Sequence, residues 1–256
     1  MSTERIKKSA TKPASAKVKA VKSGRPKNST SGRPARLSRQ AVLEKSIELL
    51  DKGSVDSFTL AKVAQGLDTV SMALYNYFPS RADLLKAVAD HISLQFKMPK
   101  SKANQTWQET LRTWLWAFKK HAERYPVIFK VMGVDGQTSA GWLRVTMTVG
   151  KTLQAQGMDG PKLALNTWLF CSSAIALVQA ELMARNFRVP FSLAHLDELE
   201  PDEQNFFLMI RHYHANISSS DLLEEGFNQL IRNLEWELQC SLETHANEKT
   251  SNRKKA

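Results

Sequence analysis

Apolar residues in this chain recur at three- and four-residue spacing with little strict alternation, a pattern that predicts helices throughout and no sheet. The pattern begins abruptly. Ser38 is a cap candidate, and Val42, Leu43, Ile47, Leu49 and Leu50 form a stripe that Gly53 stops. Thr59 is the cap candidate for a second short helix carrying Leu60, Val63 and Ala64. The break Gly66-Leu67-Asp68-Thr69 follows, and a third short helix is expected from Val70 to Tyr77. Ser80, with Asp83 three residues later, forms a capping-box pattern ahead of Leu84, Leu85 and Val88.

Further helices are expected at about 83–97, 105–121, 125–132, 138–156, 161–186, 202–217 and 220–243. The 161–186 segment is apolar over much of its circumference and must be enclosed on more than one side. The last helix begins with Asp221 and Glu224 at the positive end of its dipole, then shows a broad apolar face from Leu222 to Leu238. Residues 187–201 read as a loop with two prolines, and 244–256 as a polar, frayed tail. The fold class is therefore all-α: a three-helix unit at 38–85, then a larger helical bundle at 86–243.

Charge separates the region ahead of Ser38 from the rest. Residues 1–37 hold eleven Lys and Arg against one acid, Glu4, so +10 of the chain's formal +11 lies there. With almost nothing apolar to bury, this arm is expected to be disordered in the free protein. Counterion release draws such an arm to a polyanion, nucleic acid first and anionic membrane second. No unbroken apolar run approaches the roughly 18 residues that span a bilayer, so no membrane role is expected. Cys171 and Cys240 read as a reduced pair in a cytoplasmic, nucleoid-associated protein.

Three short helices with a tight break before the third meet the requirements of a helix-turn-helix, in which one helix braces on the DNA backbone and the next enters the major groove. Leu74 and Phe78 would pin the third helix inward, leaving Ser71, Met72, Tyr75 and Asn76 on its other face. Ser71 and Asn76 suit base edges, and Met72 suits a thymine methyl.

The run Thr59-Leu60-Ala61-Lys62-Val63-Ala64, followed at the right spacing by Ala73-Leu74-Tyr75-Asn76-Tyr77-Phe78-Pro79-Ser80-Arg81-Ala82-Asp83-Leu84-Leu85, resembles the DNA-binding domain of TetR-family regulators. The resemblance covers about residues 33–90. It implies phosphate contacts for Thr59, Tyr75, Tyr77 and Arg81, and it implies dimerisation through the last two long helices and a small-molecule pocket in the larger domain. The chain departs from the family where a turn glycine is replaced by Asp68 and a small residue by Val70. Asp tolerates a left-handed backbone better than most residues.

Gly24-Arg25-Pro26 and Gly32-Arg33-Pro34 form a small repeat resembling the core of an AT-hook, with Ser23 and Ser31 where the hook has its first arginine. An arginine held extended by the next proline suits a narrow minor groove. Arg33 is the candidate minor-groove contact, and Arg25 supplies general phosphate attraction.

Aromatics are spread over several helices of the larger domain. Trp114, Phe118, Phe129, Trp142 and Trp168 are the candidate lining of a pocket for an apolar or aromatic effector. The histidines form no metal-ligand spacing, no cofactor motif is present, and no nucleophile-base arrangement suggests an enzyme. Two readings stand: a homodimeric repressor released from a palindromic operator by a ligand, or a helical DNA-binding factor that uses its larger domain only for dimerisation and protein contacts.

Overall fold

The computed structural model describes residues 37–133, 138–184, 195–214 and 217–253. Apart from Leu37, the basic arm with Arg25 and Arg33 lies outside the described residues. Among the described residues ten α-helices follow one another: α1 (Arg39–Lys52), α2 (Leu60–Gly66), α3 (Ser71–Tyr75), α4 (Arg81–Leu94), α5 (Trp107–Arg124), α6 (Ile128–Val131), α7 (Ala140–Ala155), α8 (Gly160–Ala184), α9 (Pro201–His214) and α10 (Ser219–Arg253), with a 3₁₀ turn at Leu196–Glu198. The described residues contain no strand, so the fold is all-α.

Side-chain caps set most of the helix starts. The Ser38, Thr59 and Ser80 hydroxyls accept from the Ala41, Lys62 and Asp83 amides, and Thr106 closes a reciprocal box with Glu109. Each such cap is worth about 1 kcal/mol. At α10 the capping pair is Ser218 and Asp221, one step ahead of the expected start. The other end of α10 differs more. A frayed tail was expected from residue 244, yet the backbone stays helical to Arg253. Residues 241–253 contain neither glycine nor proline, so nothing in them stops a helix already nucleated on a packed face.

Burial explains how the N-terminal unit holds together. Val42, Leu43 and Leu50 of α1, Leu60 and Val63 of α2, Leu74 of α3, Phe78, and Leu84 and Leu85 of α4 are all buried in one core. Helix α4 belongs to both parts of the molecule, because it packs on α1 and also on α6 and α7. At the α4–α7 crossing, Gly141 is required: a Cβ there would lie 2.8 Å from the Ser93 Cβ and 2.9 Å from the Asp90 carbonyl oxygen. The Gly141 amide also donates to the Asp90 carboxylate at 2.7 Å.

The larger part is built on the apolar stripe of α5, with Leu111, Trp114, Leu115 and Phe118 buried against Phe170, Ala174 and Val178 of α8. Helix α10 packs along α8 and α5, its Gly226 admitting Leu177. Helix α8 is, by length and composition, long and apolar enough to cross a membrane, although no unbroken apolar run reveals this in the sequence. Here its inner side, including the polar Asn166 and Glu181, is buried among helices.

Candidate nucleic-acid interface and effector cavity

Between α2 and α3 the chain makes a Schellman turn: the Asp68 amide donates to the Gln65 carbonyl and the Thr69 amide to the Ala64 carbonyl. This turn needs a left-handed residue at its centre, and Asp68 supplies it at φ 50°. The departure from the usual glycine therefore leaves the turn intact and places a carboxylate beside the start of α3.

Helix α3 is anchored by one fully buried residue, Leu74, with Phe78 buried just beyond it. Its outer surface carries Met72, 74 % exposed, together with Tyr75 and Asn76, while Ser71 is half-buried. The structure thus brings Met72, Tyr75 and Asn76 onto one open face and sets Ser71 back from it. Val70, 69 % exposed, joins that face at the helix cap and was not among the expected contacts. An apolar residue at a cap position, with no hydroxyl to bond the helix amides, was the available signal. Thr59 is exposed at the head of α2, and its cap bond uses only the hydroxyl oxygen as acceptor, leaving the proton to donate outward.

Two expected phosphate contacts have internal partners. The Arg81 Nε donates to the Phe58 carbonyl at 2.9 Å and a terminal nitrogen donates to the Val55 carbonyl at 2.5 Å, so this guanidinium clamps the α1–α2 connection. The Tyr77 hydroxyl donates to the Leu37 carbonyl at 2.9 Å.

The candidate effector residues also divide. Trp114 and Phe118 are fully buried, stacked with ring centroids 5.5 Å apart, and the indole nitrogen of Trp114 donates to the Val145 carbonyl at 2.9 Å. They line neither of the two cavities beside them and belong to the core, because the α5 stripe that carries them is its innermost face. Phe129 and Trp142 line a cavity of about 400 Å³ enclosed by α4, α6, α7 and α8, with Asp83, Lys86 and Gln179 as polar lining. Trp142 and Trp168 line a second, of about 470 Å³, between α7 and α8. Sequence spacing does not reveal the polar lining, because it comes from elements nearly a hundred residues apart.

A three-helix unit exposing a short helix through one pinned face, on an all-helical support with cavities, defines the class: a helix-turn-helix DNA-binding protein. Residues 42–88, from within α1 into α4, match the family described as bacterial regulatory proteins, tetR family. It is 26 % identical over 147 residues to an uncharacterized HTH-type transcriptional regulator of Mycobacterium tuberculosis, covering 53 % of this chain and 67 % of that protein. It is 32 % identical over 94 residues to the tetracycline repressor protein class D of Escherichia coli, covering 36 % of this chain and 42 % of the repressor, less than half its length. The fold is similar to that of the Streptomyces coelicolor TetR family protein ActR in complex with actinorhodin, with TM-score 0.61 and 15 % identity over 80 % of this chain and 99 % of that one.

Proposed function

We propose that the protein is a homodimeric transcriptional repressor, cytoplasmic and nucleoid-associated, that binds a palindromic operator through two copies of α3 and is released by a small apolar or aromatic ligand. The observation that carries this reading is the open face of α3, with Met72 and Asn76 outward and Leu74 fully buried behind them. Ser71, Met72 and Asn76 read base edges, while Thr59 and Tyr75 hold phosphate. Tyr77 and Arg81 support those contacts from within, and Arg25 and Arg33 extend them along the backbone and minor groove.

A recognition helix this short offers few base contacts, and a two-fold dimer doubles them across a palindrome. The outer faces of α8 and α10 supply a surface for pairing: Leu165, Trp168, Leu169 and Met183 on one, Leu222 and Trp236 on the other, all exposed in the single chain. The ligand part of the reading is supported by the two cavities around Trp142, and by relatives that include a repressor of tetracycline name and a fold neighbour solved with actinorhodin.

Selection of bound duplexes from a random library with the purified protein tests the reading. A palindromic product is expected; recovery of unenriched sequence overturns it.

A further inference from the structure

Helix α6 is only one turn long, yet its residues point in two functional directions. Phe129, Val131 and Met132 line the 400 Å³ cavity. Between them, Lys130 extends the other way to the C-terminus of α1, where its ammonium donates to the Leu50 carbonyl at 2.7 Å, the Gly53 carbonyl at 3.0 Å and the Asp51 carbonyl at 3.3 Å. The last carbonyls of a helix have no partner within it and carry the negative end of its dipole, so a cation with three donors is well matched to them. The opposite wall of the same cavity is α4, through Ala82, Asp83, Lys86 and Ala89, and α4 is continuous with the turn that holds α3.

The DNA-binding unit is therefore attached to both walls of one cavity, by the chain at α4 and by the Lys130 ammonium at α1. From this we infer that Lys130 is the positioning residue that carries cavity occupancy to the DNA-binding unit, an inference that rests on the effector reading above. A ligand that separates α6 from α4 must either draw α1 with it, turning α2 and α3 against the groove, or break the three Lys130 bonds. In the first case operator affinity falls because the unit moves as a body.

Occupancy can be imitated without knowing the ligand. Gln179 on α8 is half-buried in the cavity lining, and Gln179→Trp places an indole there. The experiment is a double-mutant cycle in which dissociation constants for the selected operator duplex are measured on the unaltered chain, Q179W, K130M and the double variant. Circular dichroism melts confirm that each is folded, and K130R serves as the conservative variant should K130M unfold.

Q179W is expected to weaken operator binding about tenfold with Lys130 present, and less than twofold in the K130M background. K130R, which keeps the cation, should retain most of the tenfold effect. Losses that multiply independently overturn the inference, as does a Q179W chain that binds as tightly as the unaltered one. Failure to select any operator sequence overturns the DNA reading instead, so the two failures are distinct.

Discussion

The Tyr77 hydroxyl donates to the Leu37 carbonyl across 2.9 Å, tying the turn behind the recognition helix to the chain immediately ahead of α1. In the proposed reading, the DNA contacts of Arg25 and Arg33 start from Leu37, whose carbonyl this bond holds. A single exposed hydrogen bond contributes about 0.5–1.5 kcal/mol, so Tyr77→Phe is expected to weaken operator binding a few-fold. In a chain shortened to begin at Ser38 the same substitution should have no effect, since both Leu37 and the arm are gone. Fluorescence anisotropy on the selected duplex checks this. An equal loss in both chains would mean that Tyr77 acts on phosphate alone.

Arg81 offers a contrasting case, because its charge and its geometry make different predictions. Arg81→Lys keeps the charge but not the fork that reaches the Phe58 and Val55 carbonyls. The expected result is a loss of about 1–3 kcal/mol in unfolding free energy, read by urea titration, with little change in the salt dependence of DNA binding. A phosphate contact would show the reverse.

These two residues also mark how far the sequence was legible. Helices α1, α2 and α4 follow from apolar spacing and from Ser38, Thr59 and Ser80 at their starts, whereas α3 begins at Val70 without a side-chain cap and is placed by Leu74 and Phe78 alone. Pattern does not say what a polar tip touches. Arg81 and Tyr77 stand where backbone-contacting residues are expected, and only the fold shows carbonyls at Phe58, Val55 and Leu37 within their reach. Likewise, Trp114 and Trp142 are both tryptophans at amphipathic positions. Which of them faces a cavity depends on how α5, α7 and α8 cross, a long-range property that no local spacing encodes.

Asp68 combines a left-handed backbone with a negative charge beside the expected DNA surface. Two substitutions separate the effects. Asp68→Asn keeps a residue tolerant of that backbone and removes the charge, so it should raise DNA affinity, most at low ionic strength. Asp68→Gly should do the same and also raise the melting temperature, since relief of the left-handed conformation is worth up to about 1 kcal/mol. Thermal melts and binding at two salt concentrations check both.

His121 is buried at the α4–α5 contact. Burial, reinforced by the Arg124 charge and partly offset by a hydrogen bond to the Ile92 backbone, lowers its pKa from 6.5 to about 4. The native state therefore holds the neutral ring, and below pH 6.5 the unfolded chain binds the extra proton. Stability is fully present above pH 6.5 and is lost as pH falls toward 4, by up to about 3 kcal/mol. His121→Gln, which retains a side-chain N–H for Ile92, should remove that part of the pH dependence. Urea midpoints at pH 7 and pH 4.5 for both chains measure the difference, and parallel slopes would show that His121 does not contribute.

The central claim is that the open face of α3 reads sequence, and the most direct test is the affinity of a Met72→Ala, Asn76→Ala chain for the selected operator and for random duplex at matched salt. Each lost base contact is expected to cost about 1–3 kcal/mol on the operator and almost nothing on random DNA. Equal losses on the two duplexes, or none on the operator, would contradict the account.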